Sequence, residues 1–301
     1  MVYSLASLTI IPCARAEAMP YSSAVFGIVL INLDRSADRR DRMRQQFASA
    51  GLPFARFSAV DGVALTPAVC SFFCNDAGQL ASPLRVGEIG CYASHLRIWQ
   101  DIVASKYPPV VLVCEDDILL PLDLCAVIEG ILRAAPTGWD IVRLAYRNTR
   151  AVRTIAPVDR CYDVVRFSRQ PMRSGAYLIS QAGAGKLLRP GLRDHPIDLD
   201  LARPWAFDLE ALGVFPPPIK QLSDRSLIQE MGGRLFAGRR PGPAARFVQV
   251  FSTDKIRRFT YAFRTLGLRE WLLCLAENAW RKLTGAHKSA LENERSSPQC
   301  S

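Results

Sequence analysis

The sequence predicts an α/β fold with a mostly parallel central sheet, and three observations lead to that prediction. Residues 25–31 and 110–114 are unbroken apolar runs, the pattern of strands that are buried on both faces. Strand-like and helix-like segments alternate between residues 25 and 60, which favours parallel strands joined by helical crossovers. Hydrophobic residues make up 49% of the 301 residues and charged residues 22%, so the chain can bury a large core. This composition excludes a disordered chain, and no apolar run reaches the roughly 18 residues that a membrane-spanning helix needs.

The elements can be placed in order because turn and capping residues interrupt the apolar patterns. The predicted strands are residues 25–31, 54–60, 110–114, 141–146, 175–180 and 214–218. The predicted helices are residues 36–51, 87–105, 123–135 and 182–188. Ser36 is the expected N-cap of the first helix and Gly51 its end, while Gly87 opens the second helix and residues 106–109 break it. Prolines in the last strand restrict it to a sheet edge.

The chain divides into four segments by composition and charge. Residues 1–24 are an ambiguous N-terminal extension, whose short apolar stretch lacks the preceding basic residue of a secretory signal. Residues 25–237 form the α/β domain, residues 238–286 a basic, aromatic-rich helical tail, and residues 287–301 a polar end that we expect to be disordered. The net charge of +10 belongs to the tail, because residues 1–230 hold 25 Lys/Arg and 23 Asp/Glu, whereas residues 231–301 hold 13 and 5.

The tail is predicted to be mostly helical over residues 247–283, with large aromatic residues interleaved with arginines. This pattern suits a helix that lies on an anionic membrane surface. Two alternatives are helices that pack their aromatic residues on the α/β domain, and a clamp that stacks on single-stranded nucleic acid. The nearly neutral body offers no extended basic footprint, so we expect no nucleic-acid partner and favour the membrane surface.

The cysteines indicate a reducing compartment. Nine cysteines with no regular spacing, together with only three histidines, argue against a structural zinc site. Cys91, Cys114 and Cys125 lie in apolar surroundings and are interpreted as small buried hydrophobic residues. Thiols used in this way are typical of proteins that fold under reducing conditions.

The most informative feature is an acidic tripeptide, residues 115–117, that directly follows the apolar strand 110–114. Carboxylates there lie at the carboxyl end of a parallel strand, where open α/β sheets bind ligands. The side chains of Glu115 and Asp117 point the same way if the chain stays extended, and two such carboxylates can hold a divalent cation that bridges a diphosphate. The alternative is a solvated acidic turn that caps the following helix.

A second feature is the start of the long helix, residues 87–95. Free amide groups at a helix start favour phosphate, and Gly87 and Gly90 permit close approach to the backbone. Ser94 and His95 follow about two turns later at the roughly 3.6-residue helical period. The alternative is an ordinary helix start with a buried histidine that binds a carbonyl group.

Five motifs, in order, carry a family resemblance: residues 31–40 (INLDRSADRR), 59–62 (AVDG), 87–95 (GEIGCYASH), 110–117 (VVLVCEDD) and 174–179 (SGAYLI). Together they resemble glycosyltransferase family 25, which includes bacterial lipooligosaccharide galactosyltransferases and the collagen galactosyltransferases of animals. The resemblance covers about residues 25–230. It implies a nucleotide-sugar-dependent, inverting transferase with a GT-A-type fold, in which a Rossmann-like sheet is flanked by helices.

The resemblance gives the acidic tripeptide the role of the family's metal motif. Glu115 and Asp117 are then expected to face Mn²⁺ or Mg²⁺, with Asp116 turned to the ribose or to a backbone cap. The residues assigned to the UDP-sugar donor are Asn32, Leu33, Arg35, Arg39, Asp61, Gly87, Glu88, Ser94, His95 and Asp116. Within this set, Asn32 and Leu33 are expected beside the uridine, and Arg35, Arg39 or the neighbouring Arg40 beside phosphate oxygens. The alternatives are a solvated helix face for the arginines and a turn that needs no ligand for Asp61.

An inverting transfer also needs a general base within hydrogen-bond reach of the acceptor hydroxyl. The candidates are Asp198 and Asp200, in a segment that looks like the corresponding family segment, and we favour Asp198. Either aspartate can instead cap the short segment that follows. The residues assigned to the acceptor are Ser174, Gly175, Tyr177 and Trp205, of which Trp205 is either a flat platform for a sugar or part of the core.

The predicted function is transfer of a hexose from a UDP-sugar to a saccharide, or lipid-linked saccharide, of the lipopolysaccharide or lipooligosaccharide core. Galactose is the family's usual donor sugar. The 32 Arg against 6 Lys indicate a GC-rich genome, hence a bacterial enzyme, and the basic tail predicts a cytoplasmic protein peripheral on the inner face of the cytoplasmic membrane. The alternative is a non-catalytic relative that binds carbohydrate or a partner, which the intact acidic tripeptide disfavours.

Overall fold

A computed structural model of the chain describes residues 26–63, 65–147, 150–222 and 253–284. Its strands are β1 Gly27–Asn32, β2 Ala55–Ser58, β3 Val110–Glu115, β4 Ile118–Leu119, β5 Ile141–Ala145, β6 Val152–Pro157, β7 Asp163–Phe167, β8 Ala176–Ser180, β9 Ala211–Phe215 and β10 Lys220–Gln221. Its helices are α1 Ala37–Ser49, α2 Pro67–Cys70, α3 Val86–Val103, α4 Leu124–Ala134, α5 Gln181–Leu187, α6 Ile197–Asp200, α7 Pro204–Phe207, α8 Thr253–Leu266 and α9 Leu268–Leu283. Eight strands form one central sheet, which confirms the predicted α/β class.

Six of the eight strands in this sheet run in the same direction. Their order is β2-β1-β3-β8-β5-β9-β7-β6, while β4 and β10 form a separate two-stranded ribbon. β1 pairs in parallel with β2 and β3, and β5 with β9, whereas β7 and β8 run the opposite way. The chain moves from β1 outward to β2 and then returns past β1 to β3, so the direction of winding switches between β1 and β3. Open α/β sheets bind ligands at the carboxyl ends of strands beside such a switch.

The sheet lies between two layers of helices, because alternate residues of β1 and β3 point to opposite faces. Val29 and Val113 are buried on the face that α3 covers. Leu30 and Leu112 are buried on the face that α1 and α4 cover. Both faces of each strand therefore need apolar side chains, which explains why the two apolar runs in the sequence are unbroken.

The described strands and helices match the predicted elements, but the short elements α2, α6, α7, β4 and β10 were not predicted. Three further differences are informative. β9 begins three residues before the predicted strand 214–218 and ends at Phe215, before the prolines. It therefore lies inside the sheet between β5 and β7, and the prediction of an edge strand is wrong. The hairpin of β6 and β7 was not predicted, since β6 is an edge strand whose side chains are exposed or half-buried and give no strong apolar pattern. Ser36 occupies the N-cap position of α1, but its side chain makes no capping hydrogen bond, and its carbonyl group instead accepts from the Asn32 amide at 3.1 Å.

Helices α8 and α9 pack against the β6 edge of the sheet. Arg153 on β6 donates to Glu270 at 2.8 Å and to Glu277 at 2.9 Å, both on α9. On α8, the Tyr261 hydroxyl accepts from the backbone amide of Ala211 at 3.1 Å. Within the described ranges no helix has the length and apolar character to cross a membrane. Residues 1–24, the linker at 238–243 and residues 287–301 lie outside the described part of the chain.

The interpretation of Cys125 as a small hydrophobic residue with a free thiol is wrong. Cys125 is buried as expected, but Cys125 and Cys161 are disulfide-bonded. Both side chains pack against the same core cluster, so the bond ties the start of α4 to the turn between β6 and β7. Cys91 and Cys114 are free; Cys114 is buried as predicted, whereas Cys91 is only half-buried. Because disulfides persist in oxidising surroundings, this pair weighs against the reducing compartment that the irregular cysteine spacing suggested.

Candidate functional site

A cavity of about 140 Å³ opens at the carboxyl ends of β1, β2 and β3, beside the switch in winding. Ten of the residues that the sequence assigned to a site line this cavity: Asn32, Leu33, Arg35, Arg39, Asp61, Gly87, Ser94, Glu115, Asp116 and Asp117. They come from the loops after three adjacent strands and from the first two turns of α3. The topology therefore brings together segments that lie up to 85 residues apart in the chain.

The middle carboxylate, Asp116, is bound by other residues of the protein. Its two oxygens accept from the Asn32 amide at 2.7 Å and from Arg39 at 3.3 Å. Arg42 donates to its backbone carbonyl group at 3.1 Å. Asp116 therefore points toward Asn32 and α1. It does not cap a backbone amide, which was one of the two expectations for this residue. The contact fixes Asn32 and Arg39 at the cavity wall.

Arg56 is a site residue that the sequence did not reveal. It donates to the Asn32 side chain at 3.0 Å and to the Asn32 carbonyl group at 3.2 Å, and it forms an ion pair with Asp34. The contact lowers the pKa of Asp34, chiefly through the hydrogen bond from Arg56 and that from Ser58. Arg56 lies on β2, where a single arginine in a short strand carries no motif that distinguishes it from a solvated residue.

Glu115, at the end of β3, is held by hydrogen-bond donors on one side. Ser174 donates to its Oε1 at 2.5 Å, and Nε2 of His95 lies 3.9 Å from the same oxygen. Burial alone would raise the pKa of Glu115, but His95, Ser174 and Arg39 together hold the pKa below its ordinary value. Glu115 is therefore ionised at neutral pH. Ser174 and His95 were assigned to the acceptor and to the donor, and the structure instead makes both of them partners of Glu115.

A buried chain of hydrogen bonds stands behind His95. The Trp99 indole N–H donates to the Tyr177 hydroxyl at 3.1 Å, and that hydroxyl lies 2.7 Å from Nδ1 of His95. The Trp99 indole can only donate, so the Tyr177 hydroxyl accepts from it and donates its own proton to Nδ1 of His95. Nδ1 then carries no proton, and the ring proton of His95 is on Nε2, which faces Glu115. Tyr177 is fully buried and its hydroxyl contacts Trp99 and His95, so the side chain presents no surface to an acceptor. Gly175, also assigned to the acceptor, is buried against Gln221.

Replacing Tyr177 by phenylalanine is expected to lower the free energy of unfolding by about 1–3 kcal/mol, because it leaves the buried donors and acceptors of Trp99 and His95 unpaired. Urea denaturation measures this change. Tyr107→Phe is a suitable control, since Tyr107 is only half-buried and lies away from the cavity. An equal loss in both variants would contradict the buried chain.

Asp117 is held from the opposite side by the short strand β10. The Gln221 amide lies 3.2 Å from each carboxylate oxygen of Asp117, and the Leu222 amide donates to its carbonyl group at 2.7 Å. Burial, and then the charge of Glu115, raise the pKa of Asp117 to about 7. The raised pKa reflects the cost of burying this carboxylate, to which the neighbouring charge of Glu115 adds. Gln221 is a further residue that no sequence motif identified.

These groups fit a divalent cation between Glu115 and Asp117. Two carboxylates on one cavity wall provide the oxygen ligands that Mg²⁺ and Mn²⁺ prefer. A second set of donor atoms adjoins them, because Sγ of Cys91, Nε2 of His95 and a Glu115 oxygen lie within 4.8 Å of one another. Burial, and then the charge of Glu115, raise the pKa of the Cys91 thiol well above its ordinary value, and Nε2 carries a proton in the arrangement above. We therefore favour the carboxylate pair.

The start of α3 forms the wall opposite the carboxylates. Glu88 and Ser94, which the sequence assigned to the UDP-sugar donor, instead bind other residues of the protein. Glu88 accepts from the backbone amide of Arg85 at 3.1 Å and is 7% exposed, so it caps the helix and does not reach a ligand. The Ser94 hydroxyl accepts from the Val60 amide and donates to the Gly90 carbonyl group, each at 2.8 Å. Ser94 thus ties the loop after β2 to α3, and Gly87 keeps its predicted place on the cavity wall.

Gly90 permits this close packing of loop and helix. A Cβ atom at position 90 would lie 2.6 Å from the Val60 carbonyl oxygen and 2.9 Å from the Gly62 amide nitrogen. We expect Gly90→Ala to lower the free energy of unfolding by about 1–3 kcal/mol and to widen the cavity entrance. The matched control is Gly185→Ala on α5, where the nearest atom lies 3.9 Å away and alanine should be neutral or stabilising. Equal urea midpoints for the two variants would contradict this account.

The two candidate bases occupy different surroundings on α6. Asp198 is half-buried, and its charge adds to the burial and the charge of Glu115 that raise the pKa of Cys91, on the cavity wall. Burial lowers the pKa of Arg143 to about 10, and the charge of Asp198 offsets part of that lowering. Asp200 is 3% exposed and accepts from the Tyr92 hydroxyl at 2.9 Å and from Arg203 at 3.2 Å. Asp200 is therefore an internal partner, which disfavours it as the base.

Trp205 does not offer the predicted sugar platform. Its indole N–H donates to Asp254 on α8 at 2.9 Å, and its ring lies 6.0 Å from that of Tyr261 between centroids. The side chain is thus part of the contact between α7 and α8, which corresponds to the alternative that placed it in the core. Together with Tyr177 and Gly175, this leaves the acceptor side without the residues that the motif suggested.

Comparisons with known proteins point to one family. A family model described as glycosyltransferase family 25 (LPS biosynthesis protein) matches residues 26–199. The chain is similar to procollagen galactosyltransferase 1 of Danio rerio, with 28% identity over 200 residues, 59% of this chain and 31% of that protein. It is 35% identical over 190 residues to a glycosyltransferase 25 family member of Aedes aegypti, covering 60% of this chain and 31% of that protein.

A third relative, named probable inactive glycosyltransferase 25 family member 3 of Rattus norvegicus, is 27% identical over 227 residues, 67% of this chain and 39% of that protein. The chain thus spans about a third of the length of the curated relatives it matches. A solved structure, the crystal structure of A197 from STIV, has a TM-score of 0.33 and 9% identity over 63% of this chain and 81% of that chain, a likeness too low to identify a common fold.

Proposed function

Since the chain belongs to glycosyltransferase family 25, we propose that it is a hexosyltransferase that moves galactose from UDP-galactose to a hydroxyl group of a saccharide. The name of the Danio rerio relative supports galactose as the sugar. The observation that carries the proposal is the cavity at the ends of β1, β2 and β3, in which carboxylates, an exposed arginine and a helix start meet. A GT-A-type arrangement fits this placement of the carboxylates after a buried parallel strand.

The donor would lie with its diphosphate between α3 and the acidic tripeptide. The amide groups at the start of α3, near Gly87, and the exposed Arg35 are suited to phosphate oxygens. Asn32 is fixed by Asp116 and Arg56, so its place beside the uridine would be set before the donor binds. Arg39 is paired with Asp116 at the cavity wall, and Arg35 lines the same cavity with an exposed side chain, so both arginines are candidates for phosphate oxygens.

Glu115 and Asp117 would hold Mn²⁺ or Mg²⁺, which when bound supplies positive charge to the diphosphate leaving group. Asp198 would take the proton from the acceptor hydroxyl as the oxygen forms its bond to the anomeric carbon. The bond from that carbon to the UDP oxygen breaks at the same time, and UDP leaves from the opposite face. A single displacement of this kind inverts the configuration at the anomeric carbon.

Purified protein incubated with a panel of UDP-sugars tests the proposal through the UDP released. We expect turnover of UDP-galactose above that of UDP-glucose, dependence on Mn²⁺ or Mg²⁺, and inversion at the anomeric carbon of the product. Saccharides of the lipopolysaccharide core are the acceptors to try first, because the description of the family model names LPS biosynthesis. No turnover of any UDP-sugar, with or without acceptor, would overturn the proposal.

A non-catalytic relative is the second candidate, because the chain also resembles the rat protein named as probably inactive. Such a protein would bind a carbohydrate or partner without chemistry. The complete set of Glu115, Asp116 and Asp117 on the cavity wall favours catalysis. Metal-dependent hydrolysis of UDP-galactose in the absence of acceptor separates the two, since a binding protein releases no UDP.

A further inference from the structure

Helices α8 and α9 form a pair that is fixed to the domain by one face. Gly267 joins the two helices with φ of 76°, and Trp271 on α9 packs edge-on against Phe259 and Phe263 of α8, with ring centroids 6.4 and 6.3 Å apart. Asn278 accepts from the Ala151 amide at 2.9 Å, which adds to the contacts of Arg153 and Tyr261. The orientation of the pair on the sheet is therefore set by specific contacts.

All three acidic side chains of the pair point to the domain. Asp254 accepts from Arg203 at 2.8 Å, and Glu270 and Glu277 accept from Arg153. These contacts neutralise the acidic residues within the protein, and they lower the pKa values of Asp254 and Glu277 despite burial. The face that points away from the domain consequently carries basic and apolar side chains.

The outward face exposes large apolar side chains at helical spacing. On α9, Leu268, Leu272 and Leu283 are 57%, 51% and 84% exposed, and their separations of four and eleven residues place them on one stripe. On α8, Phe259 and Phe263 are about half exposed. Single exposed apolar residues are ordinary, but stripes on two packed helices form a patch of the kind that marks an interaction surface.

Basic residues flank this patch. Arg257, Arg264, Arg269 and Lys282 are exposed on the same two helices, and the Arg269 side chain is 87% exposed. Arg264 lies 3.8 Å from Asp208 and Arg269 lies 3.2 Å from Glu270, so these two are exposed members of ion pairs. We propose that the outward face of α8 and α9 docks on an anionic lipid bilayer, with the leucine and phenylalanine side chains at the acyl boundary and the basic residues among the headgroups. Charge complementarity favours a bilayer over a second copy of this chain, since two copies would bring the same basic residues together. A nucleic-acid backbone offers no apolar surface against which these leucine and phenylalanine side chains could pack.

The proposal is tested with the full chain and sedimenting vesicles, one set of phosphatidylcholine alone and one with phosphatidylglycerol added. We expect the protein to sediment with the anionic vesicles, and this binding to weaken as salt is raised. The double variant Arg269→Ser, Lys282→Ser should lower the partition coefficient about 25-fold, since each basic residue near such a surface contributes roughly fivefold. Arg44→Ser on α1, also exposed, is the control and should leave binding unchanged.

The apolar contribution is tested separately with Leu272→Ser, Leu283→Ser, for which we expect at least a tenfold loss on anionic vesicles. Leu122→Ser is the matched control, because Leu122 is 73% exposed outside the helix pair. Thermal unfolding of each variant verifies that the fold is retained. Equal sedimentation with both kinds of vesicle, or none with either, would overturn the proposal. So would a dimer, or an oligonucleotide complex, that the leucine variant abolishes while vesicle binding persists.

Discussion

Replacing Asp117 by asparagine is expected to lower UDP-galactose turnover by at least about a thousandfold while it makes the cation-free protein more stable. Activity should fall because the cavity loses one of the two carboxylates proposed to hold the cation at the diphosphate. Stability should rise because burial and Glu115 raise the pKa of Asp117 from 3.8 to about 7, so the ionised form is disfavoured in the folded state. Asparagine keeps the shape and an oxygen that can accept from Gln221.

The pH dependence follows from the sign of this shift. A carboxyl group whose folded pKa lies above its ordinary value costs stability as the pH rises through the interval between the two, here from about 4 to about 7. At pH 8 without cation, the variant should therefore unfold with a free energy larger by on the order of 1–3 kcal/mol, and at pH 4 the difference should disappear. Urea denaturation at the two pH values measures it.

Adding Mn²⁺ should separate the two proteins further. The cation should raise the melting temperature of the wild-type protein and leave the Asp117→Asn variant nearly unchanged, because binding to the folded state alone stabilises it. Asp76→Asn is the matched control, since Asp76 is exposed and outside the cavity. If the Asp117 variant keeps wild-type turnover and the same Mn²⁺ response, the assignment of the carboxylate pair is wrong.

The sequence was most informative where burial on both faces leaves an unbroken apolar run. β1 and β3 could be located for this reason, and the residues that follow them were placed at one sheet edge by the rule that parallel strands end together. The convergence of Asn32, Asp61 and Glu115 on one cavity follows from that rule. The β6–β7 hairpin gave no such run, because an edge strand needs few apolar residues.

A motif does not reveal which of its residues are buried, as the residues assigned to the acceptor illustrate. Tyr177 belongs to the same motif as Ser174, yet it lies on β8 in the middle of the sheet, where α3 covers it. Contacts such as those of Arg56 with Asn32 and Gln221 with Asp117 depend on residues 24 and 104 positions apart, so local sequence patterns cannot indicate them. Spacing also gave no indication that Cys125 and Cys161 form a disulfide.

The second large expected effect concerns Asp198 and Asp200 on α6. Replacement by alanine should lower the transfer rate at position 198 and the stability at position 200. Asp198→Ala is expected to lower transfer to the acceptor by about 10²–10⁴-fold, the range of a general base, with the affinity for UDP-galactose unchanged. Asp200→Ala removes the partner of the buried Tyr92 hydroxyl and of Arg203. It should therefore lower the free energy of unfolding by about 1–3 kcal/mol and leave turnover by the folded fraction within about tenfold of wild type.

Measuring the transfer rate and the stability of both variants decides which aspartate is the base, because a catalytic role and a structural role predict opposite patterns. UDP release with acceptor gives the transfer rate, calorimetric titration with UDP-galactose gives donor affinity, and urea denaturation gives stability. Asp198 is half-buried and its charge reaches Cys91 on the cavity wall, whereas both oxygens of Asp200 are used inside the protein. If Asp200→Ala loses transfer at full stability while Asp198→Ala retains it, the base is Asp200 and the Tyr92 contact must open during the reaction.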